Sequence, residues 1–238
     1  ASIEQESRMR LNDDPKYLSF VYPYLEETTT PLRLTVSEIK MMGQKTTPQP
    51  MKLEDYLEEA KERQQAQRGK EYGTLMHTFL SHAIFSQLTV ECLEEEIQRL
   101  VSHGILHEEE SQSIHRGSIH QFLATPLFQR MKIASIQGRL LREQPFVTQL
   151  NLGDYLNEGE DQRVVQGIID ALILEEDGIV LIDYKTDIFK PDQEENFVKK
   201  YTMQLKVYKE ALERSMDLPV KENILYALHH QKAYVLFE

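Results

Sequence analysis

Two β-rich runs, Arg163–Leu174 and Ile179–Tyr184, flank a turn signal at Glu175-Glu176-Asp177-Gly178, and this pair constrains the chain more than any other segment. If Glu176-Asp177 form a two-residue turn, Asp170 stands opposite Asp183. If Asp177-Gly178 form it, Asp170 stands opposite Lys185. Side chains alternate faces along a strand, and directly opposed residues share a face. In either register Asp170, Asp183 and Lys185 point the same way; a three-residue turn or a bulge breaks that parity. Two carboxylates and an amine set among Ile and Leu are costly unless they pair with one another or hold a metal ion.

The rest of the chain surrounds this hairpin mostly with helices. Residues 1–36, with Pro15, Pro23, Pro31 and Thr28-Thr29-Thr30, read as an irregular arm. Ser37 can cap a short helix over Glu38–Met42, and Gly43–Pro50 reads as loop. Leu53–Lys70 has the Glu-to-Lys and Glu-to-Arg spacings of an exposed helix. Met76, Phe79, Leu80, Ala83 and Ile84 recur every 3.6 residues, which predicts a core-facing helix over Gly73–Phe85. Cys92–His103 reads as a helix, and Ser111–Ile133 as two helical pieces broken at Pro126. Phe146–Leu150 alternates as a strand, Phe197–Arg214 is a long helix, and Ile224–Leu228 with Ala233–Phe237 form a closing strand pair. This order predicts an α/β or α+β fold with a small mixed sheet flanked by helices.

Composition removes several chemistries. A single cysteine, Cys92, excludes an internal disulfide framework, a four-cysteine zinc site and a four-cysteine iron–sulfur cluster. No apolar run approaches the ~18 residues of a membrane span, and no secretory leader opens the sequence, so a cytoplasmic, membrane-free protein is expected. The first residue is Ala1, which suggests processing or a fragment of a larger chain. The net charge of −12 is opposite in sign to that of a typical nucleic-acid binder.

What remains is chemistry for hard cations and phosphate. Mg²⁺ takes oxygen ligands, usually one or two carboxylates plus substrate phosphate oxygens. A nearby lysine neutralises charge that develops on the phosphate or orients the attacking water. Taken by itself, the same pattern also fits a surface hairpin with an ordinary Asp–Lys pair.

The motifs as a series resemble a known family. Gly167-x-x-Asp170, Asp183-Tyr184-Lys185-Thr186 and Gln204-x-x-x-Tyr208 are similar to consecutive motifs of the RecB-like branch of the PD-(D/E)xK nucleases. Upstream, Gly73-x-x-x-His77 resembles that branch's helical motif, and Glu143-x-Pro145-Phe146 resembles its first strand. Tyr22-Pro23-Tyr24 and Leu34–Lys40 are similar to the link between helicase and nuclease in the AddA-type subgroup. The resemblance implies a restriction-endonuclease-like core over residues 37–238, with residues 1–36 as an arm or linker from a preceding helicase region. It implies that Asp170, Asp183 and the Tyr184 carbonyl hold the metal, that His77 completes the site, and that Lys185 is the catalytic lysine. Mn²⁺ is an alternative to Mg²⁺ because imidazole suits it better. Gln204, Tyr208, Glu143 and Thr186 are expected to touch DNA or support the site, Glu143 as a supporting partner rather than a ligand.

By the same resemblance the parent protein unwinds broken duplex ends and degrades strands in recombinational repair, acting on the 3′-ended strand with an AddB-like partner subunit. No G-x-x-x-x-G-K-[ST] motor loop is present, as in an excised C-terminal nuclease domain. The acidity then fits a domain to which a helicase delivers single-stranded DNA. A stand-alone DNase or restriction-like endonuclease, and a degenerate nuclease fold that only binds DNA or a partner, are the alternatives. His229-His230 is expected to be structural, and Glu94–Glu96 and Glu108–Glu110 to be solvated faces.

Overall fold

The structure is a computed structural model and describes residues 33–42, 53–156 and 159–236. The arm over 1–32, the loop expected at 43–50 and the last residue of the expected strand at 233–237 lie outside the described residues. In chain order the elements are β1 (Arg33–Thr35), α1 (Val36–Met42), α2 (Leu53–His82), α3 (Leu93–Ser102), α4 (Glu108–Ser113), α5 (Arg116–Leu123), α6 (Pro126–Ile136), β2 (Leu140–Asn151), the single-turn α7 (Gly153–Leu156), β3 (Gln162–Glu175), β4 (Gly178–Lys185), α8 (Glu194–Met216), β5 (Val220–Ala227) and β6 (Lys232–Val235). The strands form one mixed sheet ordered β1-β3-β4-β5-β6, with β2 also paired to β3.

The hairpin takes the first of the two registers. Glu175 pairs with Gly178, so Glu176-Asp177 make the turn. β4 and β5 then pair in parallel, from Ile179 against Val220 to Lys185 against Ala227. A parallel pair needs a crossover, and α8 supplies it. β6 returns antiparallel on β5. The mixed sheet with flanking helices is therefore as expected.

Each face of the sheet has its own core. On one, Ala171, Ile173, Val180, Ile182, Tyr184 and Tyr226 pack under residues of α2 to α6, including Phe79, Phe122 and Phe128. On the other, Ile169, Leu172, Ile179, Leu181 and Leu225 pack under α1 and α8 through Ile39, Leu205 and Leu212. Leu34 and Val36 belong to this second core, so residues before position 37 contribute to the fold. Phe122 is fully buried and touches the rings of Phe128, Tyr184 and Tyr226. Truncating such a side chain to alanine typically costs about 3–5 kcal/mol.

Local differences from the sequence reading have simple causes. The first helix begins at Val36, and Thr35 caps it in place of Ser37. The Glu38 amide donates to Thr35 Oγ1 at 3.3 Å, while the Thr35 amide donates to Glu38 Oε2 at 2.7 Å, a reciprocal capping box. Leu53–Lys70 and Gly73–Phe85 are not two helices, because α2 runs without a break through Gly73 to His82. The region read as two pieces around Pro126 contains a further break at Ile114-His115, where the His115 ring accepts from the Ser118 amide at 3.0 Å and starts α5. Pro126 opens α6 at a position where the missing N–H has no helical partner to lose, with Thr125 as the cap.

Candidate active site

The β3–β4 ladder stops at Ala171 against Ile182, and the site opens at the next position. On the other edge of β3, the β2 ladder pairs Arg142 with Ala171 and resumes at Gln144 with Ile169, leaving out Glu143 and Asp170. Glu143 takes a left-handed backbone conformation, φ 49°. Such a conformation is strained in a residue with a Cβ, and strain of this kind concentrates at functional sites. The pleat also breaks here. Ile169 and Leu172 pack in one core and Ala171 in the other, whereas strict alternation would put Ile169 and Ala171 together. Asp183 and Lys185 are two apart and meet, Lys185 Nζ lying 2.5 Å from Asp183 Oδ2. Asp170 enters the cluster from the irregular position rather than from a regular pleat.

The Asp170 carboxylate is held from two sides. Oδ2 accepts the Tyr184 backbone amide at 2.7 Å, and Oδ1 lies 3.3 Å from His77 Nδ1. His77 comes from α2, whose close approach depends on Gly73: a Cβ there would lie 3.0 Å from Thr186 Oγ1. From the opposite layer, the Gln204 side-chain amide of α8 donates to Asp183 Oδ1 at 3.1 Å and to the Tyr208 hydroxyl at 2.8 Å. The Tyr208 ring is buried edge-on against Phe146 at 5.6 Å, which leaves no open face for a base. The Tyr184 ring lies in the helical core, where its hydroxyl donates to Met131 Sδ at 3.4 Å.

Burial sets the electrostatics. It pushes the Asp183 carboxyl above its ordinary value, with Lys185 only partly offsetting the effect. Glu143 is raised by burial and then by the Asp170 charge. Asp170 is depressed: burial alone would raise it, but the His77 hydrogen bond, the His77 and Lys185 charges and the Tyr184 amide outweigh that. His77 and Lys185 are both raised, since the acidic neighbours outweigh burial. The ammonium is therefore charged at neutral pH.

The donor set fits a divalent cation. His77, Glu143 and Asp170 each offer one ligand atom, all within 4.8 Å of one another. Among the described residues Asp183 Oδ2 is buried and accepts no well-angled hydrogen bond, with the Lys185 ammonium 2.5 Å away. One imidazole with carboxylate oxygens suits a hard or borderline ion. A cleft of about 1190 Å³ opens on the cluster, lined by His77, Glu143 and Thr186 together with Lys70, Lys200 and Tyr201.

The structure thus gathers His77, Glu143, Asp170, Asp183, Lys185 and Gln204 into one site, with Thr186 beside them on the cleft wall and Tyr208 behind Gln204. Glu143 stands among the candidate ligands, closer to the site than a supporting partner. Sequence reasoning missed Asp187, whose Oδ1 lies 2.6 Å from Lys200 Nζ and whose Oδ2 accepts the Tyr201 hydroxyl at 2.7 Å. Its position two residues after Lys185 was the available signal. Of the pair expected to be structural, His230 stacks on Phe189 at 3.8 Å, whereas His229 lines the cleft. Glu96 is not simply solvated: it binds Arg99 and accepts the Ile84 amide at 2.7 Å.

A mixed sheet between two helical layers, with Asp170 and Asp-x-Lys meeting where a hairpin opens, defines the restriction-endonuclease-like class of fold. The family model described as the PD-(D/E)XK nuclease superfamily matches residues 52–237. The chain belongs to the PD-(D/E)XK nuclease superfamily and is a nuclease domain. It is 32% identical over 248 residues to an ATP-dependent helicase/nuclease subunit from Clostridium perfringens (strain 13 / Type A), covering 90% of this chain and 19% of that protein. The proteins of the same name from Clostridium novyi (strain NT) and Alkaliphilus metalliredigens (strain QYMF) are 32% and 34% identical, covering 96% and 88% of this chain. The chain spans 19% of the length of the first and 18% of the last. Among the described residues, no helix is long and apolar enough to cross a membrane.

Proposed function

We propose that this chain is the Mg²⁺-dependent exonuclease domain of a cytoplasmic helicase–nuclease that degrades DNA strands at double-strand ends during recombinational repair. The observation that carries the reading is the His77–Glu143–Asp170 cage, open to the cleft and set beside the buried Asp183–Lys185 pair. His77, Asp170, Asp183 and the Tyr184 carbonyl would hold the ion, with Mn²⁺ as a working substitute and Glu143 as a further oxygen donor. The chemistry that a divalent cation supplies in such a cage is Lewis acidity toward a phosphoryl oxygen. Lys185 places a positive charge where the phosphate gains negative charge. Gln204 fixes the Asp183 carboxylate, Tyr208 fixes Gln204, and Thr186 packs against Gly73 to set the position of α2.

The net charge of −12 supports a division of labour. A domain so acidic captures DNA poorly, and a motor region or an AddB-like partner subunit would deliver the single strand. The relatives' name, helicase/nuclease, and their much greater length support this. On this reading the arm over residues 1–36 joins the motor to the nuclease domain, its last residues Leu34 and Val36 being already packed in that domain's core, and the cut strand is the 3′-ended one.

The test is cleavage of linear and circular single strands by the chain in Mg²⁺. Stepwise loss from linear ends, with circles spared, is expected. Equal attack on circles would make the domain an endonuclease, and binding without cleavage in both Mg²⁺ and Mn²⁺ would remove the enzymatic reading.

A further inference from the structure

Asp183 is not the sole hold on Lys185. Its ammonium also lies 4.8 Å from the centroid of the Tyr201 ring, on the neighbouring helix α8. We propose that Tyr201, anchored by Asp187, is the positioning residue that keeps Lys185 aimed into the site independently of Asp183. The inference rests on the reading of Lys185 as the group that acts at the phosphate.

A lysine side chain has four rotatable bonds, so holding its ammonium at one point requires contacts on more than one side. On the reading of Asp183 as a ligand, the oxygen that Lys185 meets at 2.5 Å would also be offered to a cation, and a second hold on the ammonium would then be needed. A ring face attracts an ammonium without competing for that oxygen, and most strongly where water is excluded. Lys185 is 14% exposed along its side chain and Tyr201 is 6% exposed, so this contact is nearly dry.

The ring is itself fixed. Its hydroxyl donates to Asp187 Oδ2 at 2.7 Å, and Phe197 meets it edge-on at 5.3 Å. Phe197 in turn stacks on Phe189 at 4.4 Å. Lys200, on the cleft side, pairs with Asp187 and lies 5.1 Å from the same ring. Asp187 thereby joins the strand that carries Lys185 to the helix that carries Tyr201. At 6% exposure the ring offers little face to a base, and Lys185 and Lys200 both lie over it.

The test is a double-mutant cycle on the chain with Mn²⁺ and a short single strand, read by single-turnover cleavage. DNA affinity in Ca²⁺ and the melting temperature are followed alongside. Tyr201→Leu is expected to slow cleavage roughly 10-fold, the scale of a desolvated cation–ring contact, with DNA affinity and Mn²⁺ affinity little changed. Tyr201→Phe, which keeps the ring and loses the hydroxyl, should recover most of that loss. In the Lys185→Ala background, Tyr201→Leu should cost nothing further, because its effect runs through the lysine. Parent-like cleavage by Tyr201→Leu, or an equal loss with and without Lys185, overturns the inference and leaves the nuclease reading standing. If Lys185→Ala itself cleaves like the parent, the reading of Lys185 falls and this inference falls with it. Should Tyr201→Leu melt well below the parent, the cycle is read with Tyr201→Met instead: slower cleavage only when Lys185 is present supports the role, and parent-like cleavage, or an equal loss without Lys185, refutes it.

Discussion

The two ends of the β3–β4 hairpin carry similar numbers of acidic side chains and handle them in opposite ways. At the turn end, Arg130 of α6 grips Glu175 and Glu222 with four hydrogen bonds of 2.7–2.9 Å, and Lys221 adds a 2.6 Å contact to Glu175. The Arg130 and Lys221 hydrogen bonds pull the Glu175 carboxyl down to about 2. At the open end, Asp183 and Glu143 are pushed up by burial, and Glu143 sits beside Asp170 on a strained backbone. Carboxylates that the fold has fully paired are there for stability. The buried Asp183 carboxylate, only partly offset by Lys185, marks a place where something else is meant to bind.

That contrast can be broken by substitution. The largest effect should come from Asp170→Asn, which removes an oxygen donor and the charge that His77 and Lys185 face. Single-turnover cleavage should fall by at least ~10²-fold, with divalent-ion affinity lost in parallel. Retained cleavage would show that the open end is not the reactive one. Next, Lys185→Ala should cut cleavage by ~10²-fold while metal affinity stays or rises, since a cation near the ion has been removed. Lys185→Arg should restore little, because a planar guanidinium does not match a compact ammonium.

At the turn end the same treatment should touch stability alone. Arg130→Ala is expected to cost about 1–2 kcal/mol at pH 7, measured by denaturant unfolding, with cleavage and metal binding unchanged. Its pH dependence has a definite sign. Glu175 titrates at about 2 when folded against an ordinary 4.5, so its contribution is complete above 4.5 and is lost as pH falls from there toward 2. The parent should lose stability across that window more steeply than Arg130→Ala; parallel curves would refute the assignment. The smallest effect should come from Gly73→Ala. The added methyl would displace Thr186 Oγ1 from 3.0 Å while favouring the helix, so stability should change little and cleavage should drop roughly 2- to 5-fold.

The sequence is most legible where a local rule fixes geometry. The turn signal at Glu175–Gly178 marks the hairpin and leaves two registers open, strand alternation puts Asp183 and Lys185 on one face in both, and the Gly73-x-x-x-His77 spacing places a ligand-capable ring one turn from a close approach. Legibility fails where a neighbour decides. Glu143 reads as an ordinary strand residue until its partner Asp170 leaves the ladder, and no propensity encodes that left-handed turn. Asp170 is expected in the cluster by regular alternation and arrives there by an interruption of it. Gly73 reads as a helix boundary, yet packing against Thr186 carries the helix through it. The Thr35 cap is readable as T-x-x-E, but the serine two residues later offers an equally plausible local signal, and only the strand that ends at Thr35 decides between them.

The central claim is that the open end of the hairpin is a divalent-cation site and the turn end is not. The most direct measurement is a Mn²⁺ titration by calorimetry of the parent, Asp170→Asn and Arg130→Ala, with single-stranded DNA absent and then present. The account predicts saturable binding in the parent, strengthened by DNA, abolished in Asp170→Asn and unaltered in Arg130→Ala. Equal binding by all three proteins, or none by the parent even with DNA, would contradict it.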